Sequence, residues 1–89
     1  MTTKRYIVHG MVQGVGYRYH VYRAAQELGL SGWVRNNPPG TVEVLAGGAT
    51  EQLEKLEAML RKGPFGSHVE HLEIVDESEE TSGQFRVVM

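Results

Sequence analysis

The chain has 89 residues, 40% of them hydrophobic, which is enough for one domain with one core. Nine basic side chains against eleven acidic ones give a formal charge of −2, which argues against a protein that coats nucleic acid, because binding along a phosphate backbone wants a basic surface. There is no cysteine, which excludes disulfides, thiolate metal sites and cysteine nucleophiles, and no apolar run is long enough for a signal peptide or a membrane span, so a cytoplasmic protein is expected.

Arg5 to His9 reads as a first strand: Tyr6, Ile7 and Val8 have strand propensity and Gly10 ends the run. A loop containing Gly14 and Gly16 follows, and from Tyr17 the period changes. Val21, Ala24, Ala25 and Leu28 fall at the i, i+3, i+4, i+7 spacing of a helix face, with Gly29 placed to end it. Ser31 to Asn36 reads as a strand centred on Trp33 and Val34. Asn37-Pro38-Pro39-Gly40 is a turn, and Thr41 to Ala46 alternates as the returning strand of a hairpin closed by Gly47-Gly48.

The second helix has the plainest signal. Thr50 is placed to cap it, Glu51 and Glu54 suit its positive first turn, and Leu53, Leu56 and Leu60 form the stripe to be buried. Arg61 and Lys62 sit at its negative end, and Gly63-Pro64 stops it. His68 to Val75 resumes alternation, with a register slip between Val69 and Leu72. Asp76 to Gly83 is an acidic polar loop lacking the spacing and glycine of a calcium-binding EF-hand, and Phe85 to Val88 is a short closing strand. The order β-α-β-β-α-β, with an extra strand at the end, implies an α+β, ferredoxin-like sandwich. The expected sheet is antiparallel, of four to five strands, with both helices on one face. Residues 1–89 are expected to form one domain.

The chemistry concentrates where the first strand enters the glycine loop. Glycines let backbone N–H groups converge, and a helix N-terminus adds unpaired donors with partial positive charge. Arg18, about one turn into the helix, adds a permanent charge with a planar donor fork. Together they describe a pocket for a tetrahedral oxyanion. The known nucleotide loops do not fit: a Walker A motif needs a Lys-Ser/Thr pair, and Tyr19 stands where a dinucleotide fingerprint needs its third glycine. Neither do the four histidines, His9, His20, His68 and His71, suggest a metal: none is paired at i, i+4, and on a regular strand His68 and His71 would face opposite sides. Trp33 and the tyrosines 17, 19 and 22 could stack on bases, but the RNA-recognition pattern is missing, and core or pocket-wall packing is expected instead.

The segments Gly10-Met11-Val12-Gln13-Gly14-Val15-Gly16-Tyr17-Arg18, Gly32-Trp33-Val34-Arg35-Asn36 and Gly40-Thr41-Val42-Glu43 resemble those of the acylphosphatase family, and the likeness covers nearly the whole chain. The resemblance implies hydrolysis of acyl phosphates to a carboxylate and inorganic phosphate, with no metal or cofactor. It places the family's catalytic arginine on Arg18 and its catalytic asparagine on Asn36. The phosphate-binding loop falls on Met11, Val12, Gln13, Gly14, Val15, Gly16 and Tyr17. A small-molecule acyl phosphate is then the partner, with no nucleic acid and no membrane, and a monomer is expected.

Two departures from the family pattern stand out: Pro38-Pro39 ahead of Gly40, and Val88-Met89 where an arginine-aromatic pair is usual. Gln13 is as well suited to bracing the loop as to touching a ligand, and Asn37 reads as turn chemistry. A same-chemistry alternative, a domain acting on carbamoyl phosphate within larger hydrogenase-maturation proteins, is opposed by the lack of a further domain in 89 residues. The alternative from another class is a non-catalytic ferredoxin-like module that binds a small or regulatory ligand.

Overall fold

The computed structural model describes residues 1–88; Met89, half of the unusual closing pair, lies outside the described residues. The elements are β1 (Thr2–Met11), α1 (Tyr17–Glu27), β2 (Ser31–Asn37), β3 (Thr41–Gly48), α2 (Thr50–Lys62), β4 (His68–Glu77) and β5 (Arg86–Val88). The strands form one sheet in the order β4-β1-β3-β2-β5. β1 is antiparallel to β3 and β4, and β2 is antiparallel to β3. β5, however, pairs parallel with β2 through Trp33↔Arg86 and Val34↔Val87, so the sheet is mixed and not antiparallel throughout. The cause is topological. A strand that starts at the end where β4 finishes must run opposite to β4, and β2 already runs that way.

Both β1 and β2 run antiparallel to β3, so their C-terminal ends meet at one end of the sheet. The loop leaving β1 and the end of β2 are therefore neighbours, although far apart in sequence. β1 is longer than its propensities suggest, because pairs such as Thr2↔Gly48 and Met11↔His68 supply ladder partners beyond the Tyr6–Val8 run. The same pairing keeps Gly47 and Gly48 inside β3, where a local reading ends the strand.

The slip between Val69 and Leu72 appears as a β-bulge. His71 pairs with His9 and Val69 with Gly10, leaving Glu70 as the extra residue. That residue restores parity: Leu72 is buried and Val69 also packs against the core, although they are three residues apart. It also sets His68 and His71 opposite Met11 and His9, two residues on the same side of β1, so the opposite-face expectation for these histidines does not hold.

The core lies between the sheet and the helices, with Tyr6, Val8, Val34, Val44, Leu53 and Leu56 wholly buried. Leu60 completes the expected stripe of α2. Ala49, and not Thr50, is the N-cap of α2; Thr50 is its first residue, and its hydroxyl lies 3.1 Å from that of Thr2 on β1. Tyr6 donates its hydroxyl to Glu57 of α2 at 2.9 Å, tying β1, an interior strand, to that helix. Among the described residues no helix is long and apolar enough to cross a membrane.

Candidate active site

The loop between β1 and α1 turns on Gly14 and Gly16, both at φ +77°, a backbone region that side chains with a Cβ disfavour. A Cβ built on either glycine meets nothing within 4 Å, so the space above the loop is open. Gly16 is the N-cap of α1, and no side chain caps that end. The first-turn N–H groups are thus left to whatever occupies the mouth of the loop.

Val12, Gly14, Gly16, Tyr17 and Arg18 line one side of a cavity of about 260 Å³, and Asn36, near the end of β2, lines it as well. Tyr19 and Val87 complete the wall. Tyr19 stands where the pocket-wall expectation for the tyrosines puts it, whereas Val87 is not among the residues the sequence singles out. Val87 reaches the cavity only because β5 lies beside β2, which no local pattern signals. The side-chain oxygen of Asn36, Oδ1, is buried and has no hydrogen-bond partner among the described residues. An acceptor left in that state costs free energy unless something donates to it.

The other loop residues do different work. Met11 is the last residue of β1, with its side chain 67% exposed, and does not line the cavity. Val15 packs against the core. Gln13 turns its side chain to the β2–β3 hairpin and donates from Nε2 to the main-chain oxygens of Asn37 and Thr41, each at 3.0 Å. Tyr17 is buried and donates its hydroxyl to the main-chain oxygen of Leu60 at 2.7 Å, satisfying a carbonyl in the last turn of α2. Burial pushes the Tyr17 hydroxyl well above the usual phenol range, so it remains a donor.

A second set of contacts holds the strand that carries Asn36. Glu43 on β3 is only 5% exposed. Its carboxylate accepts from Asn37 Nδ2 at 2.9 Å, from Arg35 Nε at 3.0 Å and from Arg5. Burial pushes the Glu43 carboxyl up, but the donors from Asn37, Arg35 and Arg5 outweigh it and hold the group below the usual carboxylate range. Both chain neighbours of Asn36 are thereby fastened to one buried carboxylate. Trp33 lies on this same face, away from the helices, with Arg35 5.0 Å and Arg5 5.8 Å from its ring; it belongs neither to the core nor to the wall of the Asn36 cavity.

The histidines stay outside this cavity. His9 lies 2.7 Å from Glu73, and its hydrogen bond holds the Glu73 carboxyl below its ordinary range. The His9 and His71 rings are 5.5 Å apart. Among the described residues no three His, Cys, Asp or Glu side chains gather so as to hold a metal ion.

Fold and cavity together define a class: a ferredoxin-like α+β domain in which a glycine loop, an arginine and an asparagine face one another at one end of the sheet. The family model described as Acylphosphatase matches residues 4–87. An acylphosphatase of Koribacter versatilis is 51% identical over 80 residues, spanning 90% of this chain and 73% of that protein. The crystal structure of acylphosphatase from Bacillus subtilis superimposes with a TM-score of 0.96 at 36% identity, covering 100% of both chains. A part of full-length HypF, in its phosphate- and nucleotide-bound form, superimposes with a TM-score of 0.87 at 27% identity, covering 99% of this chain and 12% of that one. The chain belongs to the acylphosphatase family.

Proposed function

We propose that this acylphosphatase hydrolyses acyl phosphates with Arg18 and the loop amides holding the phosphoryl group and Asn36 orienting the attacking water. The observation that carries the assignment is the presence of Arg18, the glycine loop and Asn36 on one cavity. An acyl phosphate is a mixed anhydride with a good carboxylate leaving group, so no strong general acid is required. The remaining task is to hold the phosphorus in line with a water while charge shifts onto its oxygens, which is positioning and electrostatic stabilisation.

Arg18 can take two phosphoryl oxygens at once, and amides of Gly14, Gly16 and the start of α1 can take the others. The unpartnered Oδ1 of Asn36 is an acceptor suited to one O–H of the water, which leaves a lone pair directed at phosphorus. Asn36 cannot take up the proton at neutral pH. The proton passes to a phosphoryl oxygen, a substrate-assisted route that releases the carboxylate and dihydrogen phosphate. None of these steps calls on a metal or cofactor.

A module that only binds a ligand would need the loop and Arg18 alone; the asparagine on the same cavity favours turnover. We further infer a cytoplasmic monomer, folded as one unit over residues 1–89, that acts on a small molecule and not on nucleic acid. The net charge of −2 and the locality of the anion site support a small molecule over nucleic acid. The test is hydrolysis of benzoyl phosphate in excess EDTA. The wild type should exceed the spontaneous rate, and removal of either Arg18 or Asn36 should lower the rate by about 10²–10³-fold. A wild-type rate no faster than the spontaneous one would return the binding module to first place.

A further inference from the structure

Building on the acylphosphatase reading, we propose that the acyl group of the substrate lies in a groove between α1 and the end of α2, and that this groove selects uncharged aromatic and long-chain acyl phosphates over acetyl phosphate. The groove has a volume of about 370 Å³ and shares Gly16 and Tyr19 with the phosphoryl cavity, so the two adjoin at the N-cap of α1.

In-line displacement fixes which way the acyl group must point. The oxygen of water bonds to phosphorus from one side, while the bond from phosphorus to the acyl oxygen breaks on the other. The carboxylate departs with that electron pair, and the water's proton moves to a phosphoryl oxygen. Water held by Asn36 therefore requires a leaving group on the side away from Asn36. Asn36 and Val87 bound the phosphoryl cavity and are absent from the groove, which opens instead toward Met59 and Pro64. The acyl group thus leaves the phosphoryl cavity across Gly16 and Tyr19, into the groove.

Apart from His20 and the two charged residues at the rim, the wall suits an apolar occupant. Tyr19 is 61% exposed, and Ala24, Met59 and Pro64 continue the apolar surface. Arg23 and Glu27 at the rim are four residues apart on α1 and of opposite charge. Their charges offset one another and give no preference for an anionic or cationic acyl tail.

The experiment compares kcat/KM for acetyl, benzoyl and octanoyl phosphate in the wild type, in Met59→Ala and in Met59→Leu. Met59 lines the groove and not the phosphoryl cavity. Met59→Ala should lower kcat/KM for the two larger substrates about tenfold while acetyl phosphate stays within about twofold. Met59→Leu keeps the apolar bulk and should behave as wild type. An active wild type whose preference among the three substrates is unchanged in Met59→Ala would overturn the groove assignment alone, as would an equal loss on all three. A wild type inactive on every substrate would overturn the acylphosphatase reading and the groove with it.

Discussion

The side-chain amide of Gln13 donates to the main-chain oxygen of Asn37 at 3.0 Å, one residue beyond Asn36, and the same nitrogen reaches Thr41 across the turn at 3.0 Å. One side chain thus spans the glycine loop and the hairpin that carries the asparagine. Arg18 and Asn36 stand on different elements, so their spacing depends on such cross-links more than on either element alone. Gln13→Ala should lower kcat about tenfold and stability by about 1–3 kcal/mol, with inhibition by inorganic phosphate little changed. Steady-state kinetics with phosphate as inhibitor checks it. Loss of phosphate affinity with kcat intact would instead mean that Gln13 serves the ligand directly.

Glu43 gives a prediction about acid. Its folded-state pKa is held below the ordinary value of 4.5, so the unfolded chain binds the proton more readily than the folded one. The stabilisation is fully present above the ordinary value and is lost as pH falls through the folded one. Glu43→Gln should therefore reduce stability at neutral pH, by about 2–3 kcal/mol, and flatten the loss of stability between mildly acidic and strongly acidic solution. Urea denaturation across that pH range gives both quantities. An unaltered pH slope would assign the acid sensitivity to other carboxylates.

Gly16→Ala tests the loop through its backbone. The added methyl meets no neighbour within 4 Å, so its cost arises from φ +77° and not from a clash. The variant should lose about 1–2 kcal/mol of stability. It should also bind phosphate more weakly, because a loop relaxed toward negative φ no longer aims its N–H groups together. Thermal unfolding and phosphate titration report the two effects separately. A variant as stable as wild type, with full phosphate affinity, would remove Gly16 from the cradle.

Much of this site was legible in the chain. α2 could be read because Leu53, Leu56 and Leu60 repeat at helical spacing and meet the core as expected. Arg18 stood out because it follows a glycine loop at a helix start, whereas Asn36 alone reads as a turn residue and was picked out by the resemblance to the acylphosphatase family. The direction of β5 was not legible, since it depends on where β4 ends and not on the residues Arg86 to Val88. Trp33 and Glu43 were hidden for a related reason. Their surroundings are made by the register Arg35↔Glu43 and Ile7↔Glu43, which brings charged residues of three strands together on the open face. Thr50 looked like a cap because nothing in its own segment announces the Thr2 hydroxyl beside it.

The division of labour between Arg18 and Asn36 is the central claim, and it is tested most directly by measuring phosphate affinity and acyl phosphate turnover on the same three proteins. Arg18→Ala should lose both, since the guanidinium holds the phosphoryl group in ground state and transition state alike. Asn36→Ala should lose turnover by about 10²–10³-fold and keep phosphate affinity near that of the wild type. Equal loss of phosphate affinity in the two variants would contradict the assignment of the phosphoryl group to Arg18 and of the water to Asn36.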